Sequence, residues 1–540
     1  MNAAGGGSAR EVRVKDAPAE ADLGEVDVCV IGGGVNGAGI ARDAAGRGLS
    51  VLLCEKGDLG EGTSSRSGKL IHGGLRYLEY LEFRLVREAL IEREVLLESA
   101  PHIVWPMRFV MPQGSGDRSR WLVRLGLLLY DTLGRRRRLP GTRTLDLARA
   151  VEGAPLKPDF RVAYEYSDCW VDDARLVVLA ALDAAERGAR ILTRCPCVEA
   201  RRESGRWLVS MREEATGALL RVRARALVNA AGPWVEEVVT RVAGRNSALG
   251  VRLVKGSHLI THKFWPGEQA YLIQNDDRRV IFVNPFEDDL ALIGTTDIPF
   301  EGRPDDVATD AQEVDYLLRA LGRYFIAPPG SDDIVAKFSG VRPLHDDAVE
   351  NPSAVTRDYA FDLDVAGGAA PMLSVFGGKI TTFRKLAEHA MEKLAPFLPG
   401  LGSAWTARAR LPGGEGIDGA DFPGFLAQFR AAYPWLPTVL AHRLARRYGA
   451  RAERLLDGAR SLGDLGPDFG AGLHEAEVAY LMRNEWARTA EDVLERRTKA
   501  GLRVDAATYA RLDEWMAAPD RKALSRPAAI IERTARVLTR

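Results

Sequence analysis

VDVCVIGGGVNGAGIARDAAGRGLSVLLCE, residues 26–55, reads as a strand, a glycine turn, a helix and a second strand. The apolar run before the glycines suits a buried strand, and the second run, LSVLLCE, has the same character. Gly32, Gly34 and Gly37 form G-x-G-x-x-G at the turn, and Glu55 closes the second strand. Glycines there permit the tight turn and let helix amides approach a pyrophosphate, while a carboxylate at Glu55 can hold a ribose hydroxyl pair. Strand, helix and acid in this order specify a dinucleotide site, which an isolated glycine motif would not. Glu55 would face the extra phosphate of NADP and so speaks against it.

Three further segments favour FAD over NAD. Thr63, Ser64 and Ser65 lie in a polar loop able to reach the pyrophosphate or ribitol. LVNAAGPW (227–234), with Gly232, fits a second nucleotide contact at a strand end. Gly377, Gly378 and Lys379 open a helical segment whose amino end can stabilise the negative charge that reduced flavin develops.

Beyond this unit, 540 residues exceed what one core usually organises, so two or three domains are expected. Residues 83–97 and 173–187 have helical periodicity, the second preceded by Asp172 as N-cap. RWLVSMREE and LLRVRARALVNAAG read as an antiparallel hairpin, and the alternation in YLIQ, RVIFVNPF and LALIGTTD predicts a mixed sheet. The expected fold class is α/β plus α: a Rossmann-like FAD-binding domain of the glutathione-reductase or amino-acid-oxidase type, a mixed-sheet substrate domain and a C-terminal helical domain. The boundaries expected are a disordered leader at 1–24, the discontinuous FAD-binding domain at 25–100, 165–250 and 340–400, the cap at 101–164 and 251–339, and the helical domain at 410–540.

Composition excludes several classes. Hydrophobic residues at 46% and charged residues at 27% are ordinary for a globular protein. Lys plus Arg and Asp plus Glu both total 74, so no global field draws the chain to nucleic acid. Cys29, Cys54, Cys169, Cys195 and Cys197 have no disulfide or zinc spacing, which implies a reduced, cytoplasmic setting and no metal. The leader resembles neither signal peptide nor anchor, and no apolar run reaches the ~18–20 residues of a spanning helix.

SSRSGKLIHGGLRYLE (64–79), EYSDCWVDDARLV (165–177), KGSH (255–258), IGTTD (293–297), SGVRPL (339–344), TRDY (356–359), SVFGGKITTFRKLAEHA (374–390) and EWARTAEDVLERRTKAGL (485–502) together resemble the respiratory, FAD-dependent glycerol-3-phosphate dehydrogenase family. The resemblance departs at Gly68, where many relatives carry serine. It implies oxidation of sn-glycerol 3-phosphate to dihydroxyacetone phosphate, with electrons passing to membrane quinone. The implied cations for the phosphate are Arg76, Arg342, Arg357 and Lys379, with Tyr77 as hydroxyl donor. His72 and His258 are the candidates for general base, His72 preferred, and Arg342 is counted with them as catalytic.

Because quinone is lipid-soluble, peripheral contact with the inner face of the cytoplasmic membrane is expected. WLVRLGLLLYDTL (121–133), followed by Arg135–Arg138, could lie on an anionic bilayer or form a buried helix before a solvated basic loop; both readings stay open. Four cations without an acidic pocket favour phosphate over the carboxylate of an amine or amino-acid oxidase. A glycerol-3-phosphate oxidase using oxygen is the nearer alternative, and a flavin-binding scaffold without turnover is the third. No D-x-D-x-D-G pattern points to calcium, and a homodimer is compatible with the sequence.

Overall fold

A computed structural model describes residues 20–114, 119–134, 138–247, 249–277, 279–345, 358–418 and 421–525. Its first sheet has eight strands. β1 (Glu20–Ile31) pairs in parallel with β2 (Val51–Cys54) on one side and with Leu219–Asn229 on the other. Arg190–Leu192 extends the parallel set beyond β2, and Met372–Gly377 extends it beyond Leu219–Asn229. Burial on both faces demands continuous apolar runs, and Val28–Ile31 and Val51–Cys54 are buried throughout. The register pairs Ile31 with Cys54 and with Asn229, so the strands end together. The loops that follow them converge on one edge, where open α/β sheets bind ligands.

Five helices position the site: α1 (Val35–Gly46), α2 (Phe83–Ser99), α3 (Arg120–Leu133), α4 (Asp173–Glu186) and α5 (Phe383–Leu394). α1 packs against α4 and α5 on one face of the sheet. Asp172 caps α4, its carboxylate accepting from the Arg175 amide at 3.2 Å, as its position before the apolar stripe predicts. The Gly-Gly turn at 377–378 leads first into a 3-10 turn, Ile380–Thr382, and only then into α5.

β1 begins at Glu20, so residues 20–24, expected in the leader, belong to the sheet; residues 1–19 lie outside the described residues. Their polar sequence hid the strand. Backbone pairing to Leu219–Arg221 and exposed ion pairs, Arg221 to Glu20 at 3.0 Å and Arg223 to Asp22 at 2.8 Å, hold it.

The second sheet has ten strands and is antiparallel except where Ala270–Gln274 runs parallel to Val104–Gln113. One end of it is the long pair Val251–His262 with Ile334–His345. Two expected boundaries shift. Val162–Val171 pairs along its whole length with Val104–Gln113, which moves residues 165–171 from the FAD-binding set into this sheet. Ile334–His345 continues unbroken past 340, and Leu70–Ile71 also joins. Antiparallel ladders run to the end of their register rather than to a composition change.

The C-terminal helices enclose a separate core around Leu444, Tyr448, Leu481, Val493 and Leu512. They are tied to the first domain by buried charge. Asp58, three residues after Glu55, accepts from Arg496 Nε at 2.7 Å and from Arg497 Nη1 and Nη2 at 2.6 and 2.8 Å. Arg175 of α4 forms a fully buried pair with Glu485, and Arg447 reaches Asp172 at 3.0 Å. Removing one member of such a network strands the other charges without water, at a cost of about 3–5 kcal/mol. Asp58→Ala is therefore expected to lower the denaturation midpoint and to expose the C-terminal helices to limited proteolysis. A midpoint matching wild type would show that these pairs do not hold the two units together.

Candidate functional site

A cleft of about 1590 Å³ lies between the two sheets, well above the roughly 300–1,000 Å³ of an ordinary small-molecule pocket. One end is built by the first β-α-β unit. Gly32 has φ +109°, and a Cβ there would stand 2.5 Å from the Ala230 carbonyl oxygen. A Cβ on Gly37 would stand 1.9 Å from the Gly32 carbonyl oxygen. These positions bring the amino end of α1 against the strand ends, and Gly34 keeps the space in front of it clear.

Glu55 lines the same end. Its two oxygens accept from the Gly33 amide at 2.6 Å and the Gly57 amide at 2.8 Å, which fixes the carboxylate. Burial pushes its pKa up to about 6, against the lowering effect of those amides. In the polar loop, the Ser64 hydroxyl accepts from the first amide of α1, Val35, at 2.9 Å. Thr63 lines the cleft and donates to the Val341 carbonyl, joining the loop to the second sheet. Ser65 does not line the cleft; its carbonyl accepts from Lys69 Nζ at 3.1 Å. Gly232, Gly377, Gly378 and Lys379 line the middle, the three glycines all with positive φ.

At the other end the second sheet supplies His258, Thr295 and Arg342, and the loop after Ser65 supplies Gly68 and His72. Arg342 pairs with Asp297 and donates to Thr295 Oγ1 at 2.9 Å, which fixes the plane of the guanidinium. This corrects the expectation of a cation set without an acid. Asp297 closes the IGTTD motif, and only the antiparallel register brings it to Arg342.

His258 is buried, with its ring stacked on Phe338 at 4.9 Å between centroids. Burial, then the charges of Arg342 and Lys69, hold its pKa well below the usual histidine range. His72 lies edge-on to Phe282 at 6.1 Å, and its amide donates to Thr381 Oγ1 at 3.3 Å. Lys379 Nζ stands 3.9 Å from the Tyr77 ring centroid. Arg76 and Tyr77 line a smaller cavity of about 150 Å³ that shares His72, Tyr77, Phe282 and Thr295 with the main cleft and reaches Val123 of α3. Arg357 lies outside the described residues.

Sequence reasoning missed the support beneath His72. The next amide, Gly73, donates to Tyr130 Oη at 2.7 Å; that hydroxyl reaches Asp168 at 2.8 Å, and Arg93 Nη1 reaches the same carboxylate at 2.7 Å. Asp168 stood in a motif already singled out, whereas nothing local marked Tyr130. Asn36 also escaped notice; its amide nitrogen donates to the Gly377 carbonyl at 3.2 Å and links the two glycine turns. Among the described residues, no cluster of three or more His, Cys, Asp or Glu side chains is arranged to hold a metal ion.

Residues 27–384 match the FAD dependent oxidoreductase family, and residues 404–518 match the C-terminal domain of alpha-glycerophosphate oxidase. The chain belongs to the FAD-dependent glycerol-3-phosphate dehydrogenase family. It is 61% identical to D-erythritol 1-phosphate dehydrogenase of Brucella abortus (strain 2308), over 91% of this chain and 97% of that protein. It is 52% identical to glycerol-3-phosphate dehydrogenase of Pseudomonas aeruginosa, over 92% and 96%. The solved glycerol-3-phosphate dehydrogenase of Bacillus halodurans, complexed with FAD, superposes with a TM-score of 0.73 at 26% identity, covering 93% of both chains.

The protein is thus an FAD-dependent oxidoreductase, and its cleft fits that cofactor: glycines stand where a Cβ would obstruct the turn, and a long cavity runs from Glu55 to Lys379. Gly37→Ala is expected to yield folded protein without flavin, because the helix must retreat from the strand ends. Visible flavin absorbance per mole of purified protein measures this. A variant retaining full flavin would show that the close approach is dispensable.

Proposed function

We propose that the protein dehydrogenates phosphorylated polyols, sn-glycerol 3-phosphate becoming dihydroxyacetone phosphate, and passes the electrons to membrane quinone. The observation that carries this reading is the meeting of an oriented arginine and two histidines, Arg342, His72 and His258, on one cleft whose far end has the features of a dinucleotide site. The four-carbon ester named in the Brucella relative belongs to the same class and stands as a second substrate.

FAD, when bound, supplies the hydride acceptor. Gly32, Gly34, Glu55, Thr63, Ser64, Gly232, Gly377 and Gly378 are assigned to holding it. Arg342, held in plane by Asp297 and Thr295, presents a fork suited to phosphate oxygens. Lys379, with Tyr77 beneath its ammonium group, adds a second cation, and Arg76 a third in the adjoining cavity.

The base must accept the hydroxyl proton near neutral pH. His258, neutral through this range, suits hydrogen bonding to substrate; His72 is assigned the proton. Its segment is anchored by the Gly73–Tyr130–Asp168–Arg93 chain, which limits its motion.

Contact with the bilayer is assigned to α3. Leu127 and Tyr130 face the core, while Trp121, Leu122, Leu125 and Leu128 are exposed, Trp121 at 69% and Leu128 at 60%. An apolar face turned to water on an amphipathic helix favours an interfacial seat. The small cavity adjoining α3 gives a lipid-soluble acceptor an apolar approach to the reacting end of the cleft. Of the basic run that follows, Arg135–Arg137 lie outside the described residues. No helix among the described residues is long and apolar enough to cross a membrane.

Anaerobic stopped-flow flavin reduction across pH tests the chemistry. His72→Asn is expected to lose ~10²–10⁴ in rate together with the acid limb of the profile. His258→Asn should keep the limb and weaken binding, and Arg342→Ala should cost about 2–5 kcal/mol in kcat/KM with flavin content unchanged. An acid limb lost only in His258→Asn would move the base there; a limb retained in both would give the proton to water or Lys379. For the membrane, joint replacement of Trp121, Leu125 and Leu128 by serine is expected to weaken co-sedimentation with anionic vesicles about tenfold or more. Turnover with a soluble dye should be unaffected. Undiminished vesicle binding would remove α3 from the contact.

A further inference from the structure

Gly68 lines the cleft, and nothing in its backbone calls for glycine: its φ lies outside the left-handed region. A Cβ built there would meet a single group within 4 Å, His258 Nε2 at 3.6 Å, an ordinary contact distance. Alanine or serine would therefore fit. A serine hydroxyl, one bond further out, could reach Nε2 and occupy both that nitrogen and the space in front of it. The glycine leaves both open to substrate.

The ring it faces is fixed. His258 is stacked on Phe338, and its Cδ2–Nε2 edge lies where a Cβ on Gly294 would stand 2.2 Å from Cδ2, so glycine at 294 is what lets the ring sit there. Nδ1 is buried without a hydrogen-bond partner, and no side-chain hydrogen bond from His258 occurs among the described residues. The imidazole is held neutral by burial beside Arg342 and Lys69, and a neutral ring offers one donor and one acceptor. That pattern complements an alcohol rather than a phosphate.

We propose that Gly68 sets the chain length of the substrate: the space it leaves beside His258 Nε2 receives an additional hydroxyl-bearing carbon, so that the preferred ester is a four-carbon polyol phosphate. This rests on the polyol-phosphate reading above and narrows it. In such an ester the extra unit lies beyond the reacting carbon as seen from the phosphate, leaving the phosphate contacts unchanged. The identity of 61% to a D-erythritol 1-phosphate dehydrogenase, against 52% to a glycerol-3-phosphate dehydrogenase, points the same way.

The test measures kcat/KM of the holoenzyme with a dye acceptor for D-erythritol 1-phosphate and sn-glycerol 3-phosphate, in wild type, Gly68→Ser and Gly68→Ala. Wild type should favour the four-carbon ester by roughly tenfold or more, the scale on which one added group is discriminated. Gly68→Ser should reverse the preference, mainly through a raised KM for the longer ester, and Gly68→Ala should fall between. Flavin content and thermal midpoint should not move, which separates a specificity role from a structural one. Equal use of both esters, a wild-type preference for the glycerol ester, or a ratio unmoved in Gly68→Ser overturns the assignment while the polyol-phosphate reading survives. Turnover of neither ester sinks that reading and this one with it.

Discussion

The close approach of the α1 amino end to the strand ends is the constraint on which the rest of the site depends. It exists because Gly32 and Gly37 lack a Cβ, whose presence would collide with backbone rather than with movable side chains. Once the helix is seated, its first amides face the cleft, Ser64 can bond Val35, and the polar loop closes across to Val341 of the second sheet. A local steric condition at two residues thus fixes how two sheets face one another across a cofactor-sized space.

Charge buried directly behind the cleft wall supports this arrangement. Asp58 lies in the loop directly after Glu55 and is held by two arginines of the C-terminal helices, while Glu485 holds Arg175 on α4. Both pairs connect the C-terminal unit to elements that flank the nucleotide end. Buried pairs contribute little net stability over apolar packing, but their geometry admits few alternatives. A unit that lends the cleft lining Glu491 can thereby also fix the loop that forms its wall.

The reacting end is organised differently. Its polar groups are oriented by partners, Arg342 by Asp297 and Thr295, and the His72 segment by Tyr130, Asp168 and Arg93. Tyr130 sits on α3, on the turn next to Leu127, and the opposite side of that helix carries the exposed Trp121 and Leu128. One helix therefore joins the outer apolar surface to the backbone that presents His72. Preorganisation of this kind removes the cost of ordering charged groups when substrate arrives.

By itself the sequence determined the first β-α-β unit, the capped α4, the hairpin 206–229 and the glycine turn before α5, because each is encoded by periodicity or steric need within a short window. It also brought His72, His258, Arg342 and Lys379 forward through family motifs. Which face α3 exposes, where the sheets divide, and the pairing of Arg342 with Asp297 were decided only by the tertiary structure. Tyr130 reaches Asp168 across 38 residues and Gly73 across 57, distances over which local pattern carries no information. Strand register and helix packing select those partners, and a register one residue different would send each side chain to the opposite face.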